Sequence, residues 1–239
     1  MKIVKVALLI FLGAGLLAAA GYWLVGEQIL DFYLRTNGMR SVSDVLEMYA
    51  PASEGKWRAR FAAAGVSYPP GSLTLIALKR EKLLEVWASD GAADRLIASW
   101  PVLAASGQAG PKLRQGDLQV PEGFYRLAGL NPNSSFHLSM KINYPNDFDL
   151  QMAADEGRTN PGGDIFIHGR AVSIGCLAIG DPAIEELFVL VARVGYNNVE
   201  VLMVPHDFRR QPPPDLSQPA WLPELYQRLH TRLKDFKPG

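Results

Sequence analysis

Short apolar segments constrain the fold of this 239-residue chain more than any other feature. From residue 70 onward, runs rich in aliphatic, β-branched and aromatic residues alternate with polar turns, which is typical of strands. The predicted strands span residues 73–78, 83–88, 96–103, 124–127, 136–142, 165–167 and 199–204. An amphipathic helix is predicted over residues 182–195. The sequence therefore predicts a mostly β domain with flanking helices.

The residues capable of chemistry cluster where the strand over residues 165–167 ends. His168 and Gly169 follow that strand directly. Gly175 and Cys176 come after a short connection, and Cys176 is the only cysteine, so no intramolecular disulfide can form. Asp181 as N-cap and the following proline predict the start of the next helix. The predicted order is strand, His, loop, Cys, helix.

This order suits a thiol nucleophile paired with an imidazole base. The thiolate is the attacking species, and His168 can take the proton from Cys176. Glycine at position 175 permits a tight turn, so backbone N–H groups of Gly175 and Cys176 can hold an oxyanion. The N-terminus of the helix is expected to help lower the thiol pKa. The alternative is a buried, inert Cys176 beside an ordinary strand-end histidine.

The stretch resembles the catalytic segment of the L,D-transpeptidases (YkuD-type domain), whose signature is His-Gly followed later by Ser-His-Gly-Cys. The matching residues are His168, Gly169, Ser173, Gly175 and Cys176, while Ile174 replaces the second His. Similarity to the YafK-type branch covers roughly residues 57–209 and includes segments 110–117, 121–125, 131–137 and 144–146.

The resemblance implies a β-sandwich-like catalytic domain and a cysteine-dependent L,D-transpeptidase. Cys176 is then expected to attack the amide between the third and fourth residues of a peptidoglycan stem peptide. His168 acts as the base, oriented by the Gly169 carbonyl, and the thioacyl-enzyme passes to an amine. The product is a crosslink or an attached protein.

Two alternatives remain open. Water can replace the amine, giving a hydrolase that trims stems or releases a wall-linked lipoprotein, and Ile174 bears on this choice. A non-catalytic peptidoglycan-binding module with an inert thiol is the other alternative.

Four residues are candidates for substrate binding. Lys112 and Arg114 lie in a glycine-rich loop over residues 106–117 and are expected to face acidic substrate groups. The resemblance adds Ser173 and places His137 near the site. Otherwise the loop is a solvated hairpin connection and His137 a structural strand residue.

No cofactor, metal or nucleic acid is expected. Cys176, His168, His137 and His206 lack the close ligand spacing of a structural zinc motif. The 24 basic and 24 acidic residues balance, so the chain has no electrostatic footprint for nucleic acid.

The N-terminus predicts a membrane partner. Residues 6–25 carry no charge and follow Lys2 and Lys5, which is about the length that crosses a bilayer core. Residues 18–20 also resemble a signal-peptide cleavage site. We expect a periplasmic domain anchored to the inner membrane, or secreted after cleavage.

The predicted organisation has four parts. Residues 1–26 form the signal anchor or signal peptide, 27–69 a helical linker, 70–210 the catalytic domain, and 211–239 a Pro-rich linker with a C-terminal helix. Within the linker, Ser41 or Ser43 caps a helix that Pro51 ends, and a second helix covers residues 57–64. Residues 153–163 are expected to form a loop over the pocket.

Overall fold

The computed structural model describes residues 36–89, 91–172 and 175–237. The predicted signal or anchor segment therefore lies outside the described residues, as do Ser173 and Ile174. Within the described ranges, no helix is both long and apolar enough to cross a bilayer.

The described strands form one mixed sheet of eight, in the order β3-β2-β1-β8-β4-β5-β6-β7. The strands are β1 Leu73–Leu78, β2 Leu83–Ser89, β3 Asp94–Pro101, β4 Gly123–Ser134, β5 His137–Ile142, β6 Phe166–His168, β7 Leu177–Ala178 and β8 Val199–Val204. The pairs β1–β8 and β6–β7 are parallel. The beginning of β4 pairs with β8 and its later residues pair with β5, so this long strand joins the two halves.

Helices cover both faces of the sheet. They are α1 Val42–Ala64, α2 Asp147–Asp155, α3 Asp181–Val194 and α4 Leu222–Leu233. On one face, α1 and α3 join a hydrophobic cluster with Leu73, Leu75 and Ala77 of β1. On the other, α4 packs against Ile76 and Leu78. Every residue of β1 is buried as a result, because successive strand side chains point to opposite faces.

The strand-rich core with flanking helices is confirmed, while several predicted elements were wrong in detail. Pro51 lies inside α1 and does not end it. Residues 147–155 form α2, partly in place of the predicted loop, and Asn146 caps that helix with its side chain. Gly180, not Asp181, is the N-cap of α3. The two-residue strand β7 was not predicted, and it lies between Cys176 and α3.

Helix α1 is held to α3 by both packing and charge. The capping box at its start uses Ser41, one of the two predicted caps, together with Asp44. The indole N–H of Trp57 donates to the Glu186 carbonyl oxygen at 2.8 Å. Lys56 and Arg60 each reach the Glu186 carboxylate at 2.6 Å. These contacts hold α3 against α1, and α3 is the helix that follows Cys176 and β7 in the chain.

Candidate active site

His168 is the last residue of β6 and only 1% of its surface is exposed. Its Nδ1 lies 2.6 Å from the carbonyl oxygen of Gly169. Because a carbonyl can only accept, Nδ1 carries the proton and Nε2 of the neutral ring is the proton acceptor. Burial lowers the pKa of His168, and the hydrogen bond to Gly169 opposes that shift.

Gly169 has no room for a side chain. Its N–H donates to the Leu138 carbonyl oxygen at 3.1 Å. A Cβ at this position would lie 2.6 Å from Asp181 Oδ1 and 2.8 Å from the Phe136 carbonyl oxygen. Glycine therefore allows β6 to approach both the turn before β5 and the start of α3.

Cys176 directly precedes β7, which runs parallel to β6. The pairing of Ile167 with Leu177 and of His168 with Ala178 brings the Cys176 segment beside β6, the strand that ends in His168. The thiol donates to the Asp164 carbonyl oxygen at an S···O distance of 3.7 Å. The sheet thus brings the two candidate catalytic residues onto neighbouring segments.

The pKa of the Cys176 thiol is raised above its ordinary value, while a lowering contribution from the helix N-terminus stays a prediction. Burial is the largest cause. A backbone hydrogen bond at Phe166 and the charge of Lys112 lower the pKa, whereas the charge of Asp164 raises it further. Together, burial and Asp164 outweigh the two stabilising contacts.

Gly175 forms the turn before the thiol with a φ of +96°, a conformation that favours glycine. Its N–H donates to the Ser106 hydroxyl oxygen at 2.6 Å. The predicted oxyanion donor is therefore already hydrogen-bonded to another part of the chain. Sequence reasoning did not single out Ser106, because a serine in a glycine-rich loop carries no signal of such a contact.

Lys112 and Arg114 occupy different environments. Lys112 is 7% exposed, and its Nζ reaches Asp117 Oδ1 at 2.6 Å and the Arg114 carbonyl oxygen at 2.9 Å. The Lys112 ammonium group therefore stabilises the loop by binding residues of the same loop. The Arg114 side chain is exposed, while its backbone N–H donates to Asp117 Oδ2.

A cavity of about 180 Å³ adjoins Gly175 and the turn that leads to Cys176. Its lining residues are Lys112, Gln115, Gly116, Leu118, Gly163, Asp164, Ile165 and Gly175. Tyr144 connects the two segments that line this cavity. Its hydroxyl lies 3.2 Å from the carbonyl oxygen of Lys112 and 2.9 Å from the carbonyl oxygen of Pro161, just before Gly163. Sequence analysis placed Tyr144 in one of the segments similar to the YafK-type branch but gave it no role in the site.

Two of the other three histidines, His137 and His206, have hydrogen-bond partners away from His168 and Cys176. His137 Nε2 lies 2.7 Å from Glu185 Oε1 on α3, and its ring meets Tyr49 edge-on. His206 Nε2 lies 2.8 Å from the Pro212 carbonyl oxygen. In the three described ranges, no group of three or more His, Cys, Asp or Glu side chains is arranged to hold a metal ion.

The larger part of the chain matches a known protein family. The family model described as "YkuD: L,D-transpeptidase catalytic domain" matches residues 73–201, more than half of the chain. The chain therefore belongs to the YkuD L,D-transpeptidase family.

The chain is also similar to individual proteins. The chain is 35% identical over 132 residues to "Putative L,D-transpeptidase YafK" from Escherichia coli K12 and O157:H7, covering 53% of this chain and 51% of each relative. It thus spans about half the length of these curated relatives. The helical cell shape determining protein Pgp2 from Campylobacter jejuni aligns with a TM-score of 0.45 and 29% identity, over 55% of this chain and 47% of that protein.

Proposed function

We propose that the protein is a cysteine-dependent L,D-transpeptidase acting on peptidoglycan stem peptides, with Cys176 as nucleophile and His168 as base. The hydrogen bond from His168 Nδ1 to the Gly169 carbonyl carries the proposal. It assigns the proton-accepting role to Nε2, on the strand beside the Cys176 segment. A base whose tautomer is fixed by a third group is the arrangement that thiol catalysis requires.

The reaction proceeds through a thioester. Sγ attacks the carbonyl carbon between the third and fourth stem residues while Nε2 accepts the thiol proton. The N–H groups of Gly175 and Cys176 stabilise the oxyanion, and Gly175 exchanges the Ser106 hydroxyl for it. Collapse breaks the C–N bond, and the imidazolium protonates the leaving amine. An acceptor amine then attacks the thioester, gives its proton to Nε2 and releases the thiol.

The resting pair is neutral in this mechanism. Burial lowers the pKa of His168 and raises that of Cys176, so the proton stays on sulfur until substrate binds. Proton transfer to Nε2 therefore accompanies attack on the carbonyl. Substrate that displaces water from the site strengthens the oxyanion contacts at the same time.

Hydrolysis is the second candidate. Ile174 stands where the family signature has a histidine, immediately before the Gly175–Cys176 turn. A changed acceptor side admits water in place of an amine, and water then hydrolyses the thioester. The leaving amine, either the terminal D-amino acid or a wall-linked lipoprotein, has already departed in the first step, so the outcome is a trimmed stem or a released lipoprotein. Both candidates use Cys176 and His168, and they differ only in the second step.

We also propose that the catalytic domain works in the periplasm, tethered through residues 6–25. The uncharged run behind Lys2 and Lys5 motivates this placement. Alkaline extraction of membranes tests it. Complete release of the full-length protein into the soluble fraction would rule out the tether.

The catalytic test uses the purified full-length protein with tetrapeptide-stem muropeptides and a wall-linked lipoprotein, read by mass spectrometry. Crosslinked dimers that have lost the terminal D-amino acid support the transpeptidase. Trimmed stems or released lipoprotein without dimers support the hydrolase. Cys176→Ala, checked for folding by its melting curve, is the control. Products that persist in this variant would exclude the thiol mechanism. A folded parent protein that gives no products would indicate a binding module.

A further inference from the structure

Phe136 is a large apolar residue left partly in solvent beside the candidate base. It lies in the turn between β4 and β5, and 39% of its surface is exposed. Its ring centroid is 4.6 Å from that of His168, with the planes inclined by 33°. The Phe136 ring therefore covers one face of the His168 imidazole, which is almost fully buried.

The position of this ring is fixed from several sides. The Phe136 N–H donates to the Ser134 hydroxyl at 3.1 Å. The next residue, His137, has a φ of +77° and is held by Glu185 on α3. The backbone of Phe136 can approach β6 only because Gly169 has no side chain there. Such a strained and closely packed turn is typical of a functional constraint.

We propose that Phe136 is a positioning residue that fixes the plane of the His168 imidazole and keeps water from it. The effect of Phe136 on catalysis rests on the proposed function, whereas the contact between the Phe136 ring and the His168 imidazole does not. With Nδ1 bonded to Gly169 and one ring face covered, Nε2 has a defined direction. A dry imidazole also stays neutral to lower pH, as a general base must.

Burial, not a neighbouring charge, accounts for the lowered pKa of His168. The nearby charged groups of the described chain have other partners. On α3, Asp181 accepts from the Arg170 N–H at 2.6 Å and Glu185 binds His137. The β5 residue opposite His168 is Ser139, which carries no charge, and the Cys176 thiol is neutral. Removing the Phe136 ring should therefore change the pKa by letting water reach the imidazole.

The direct test is an NMR titration of the histidines in the full-length protein without substrate. The chain has four histidines, and the resonance absent in His168→Gln identifies His168. Phe136→Ala should raise the pKa of His168 toward its ordinary value, while Phe136→Tyr should leave it low. The matched control is Phe148→Ala, which removes a ring that packs against Trp221 in the other hydrophobic cluster. An unchanged His168 titration in Phe136→Ala would overturn the proposal.

The catalytic arm uses the Cys176-dependent assay. In Phe136→Ala the acidic limb of kcat/KM should move to higher pH in parallel with the NMR titration. An acidic limb that stays in place although the pKa has moved would overturn the positioning role. If no variant and no parent protein turns over stem peptides, the proposed function fails, and the titration still decides whether Phe136 controls His168. Melting curves exclude unfolding as the cause.

Discussion

Single residues set the charge state of the candidate site. His168 and Cys176 are shifted in opposite directions, each mainly by burial. Both shifts favour the thiol and the neutral imidazole over the thiolate–imidazolium pair. In the proposed mechanism the nucleophile is therefore held as an unreactive thiol, and a correctly oriented base is needed to activate it.

Alkylation of Cys176 should reveal this state. A raised pKa means less thiolate at neutral pH, so iodoacetamide should react more slowly than with a free cysteine. The rate should rise only above the ordinary thiol pKa. The measurement is the pseudo-first-order rate against pH, with unfolded protein as the control for an ordinary cysteine. A fast, pH-independent rate below neutrality would instead indicate a resting ion pair.

Gly169→Ala should disrupt the site. The added Cβ would meet the Phe136 carbonyl oxygen at 2.8 Å, so β6 and the adjoining turn must separate. We expect a loss of about 1–3 kcal/mol in unfolding free energy, as for other overpacked positions, and a larger loss of Cys176-dependent turnover.

The matched control is Gly129→Ala in β4, where nothing lies within 4 Å of the new Cβ. Chemical denaturation and activity are measured on both variants. Equal behaviour of the two would show that the close contact at Gly169 has no consequence.

Among the elements, those built from continuous apolar runs could be predicted from sequence. β1 and β8 have the predicted bounds, because their residues are buried in near-continuous runs, interrupted in β8 only by the half-buried Glu200. β7 could not be predicted, since two residues carry no periodic signal and its pairing depends on β6. The contact between Ser106 and Gly175 joins residues 69 positions apart, and only the folded sheet brings them together.

Helix α1 illustrates how packing overrides a local signal. Proline normally interrupts a helix because it lacks an N–H and its ring clashes with the preceding turn. In α1, however, Val45 lies before Pro51, and Trp57 and Phe61 lie after it, and all three are buried in one hydrophobic cluster. Burial of these side chains outweighs the cost of the proline.

Pro51→Ala should consequently stabilise the protein. Alanine restores the helical hydrogen bond, for a net gain of about 2 kcal/mol once the more flexible unfolded chain is considered. Thermal unfolding should shift upward by roughly 4–8 °C. Gly55→Ala, in the same helix with nothing near its new Cβ, is a matched control expected to gain about 1 kcal/mol. A gain for Gly55→Ala without one for Pro51→Ala would argue that the helix does not continue through Pro51.

On the scale of the whole molecule, a buried ion pair connects the sheet, the loop of the site and the C-terminal helix. Lys79 Nζ lies 2.7 Å from Glu122 Oε1, and both side chains are almost fully buried. The same carboxylate accepts from the Gly110 N–H at 3.0 Å and from the Tyr226 hydroxyl on α4. The glycine-rich loop that carries Ser106 and Lys112 is thereby fixed, through Gly110, to the end of β1 and to α4.

Glu122→Gln should therefore weaken the whole assembly. The amide keeps the size of the side chain but leaves the Lys79 charge buried without a counter-charge, bonded only to the Gly110 and Val120 carbonyl oxygens, at a cost of about 3–5 kcal/mol. Burial already lowers the pKa of Lys79, and loss of the carboxylate should lower it further. Since the unfolded lysine then binds more protons than the folded one, stability of the variant should rise as pH approaches the ordinary lysine pKa.

Chemical denaturation at several pH values checks this, and the double variant Lys79→Met/Glu122→Gln should recover much of the loss because no charge remains buried. Lys141→Ala is the contrasting control. Its pair with Asp164 has side chains 47% and 80% exposed, so the change should cost less than about 1 kcal/mol. Two results would contradict this role of the buried pair in holding the loop and the C-terminal helix to the sheet. One is an equal loss of unfolding free energy in Glu122→Gln and Lys141→Ala. The other is a loss in Glu122→Gln that does not depend on pH.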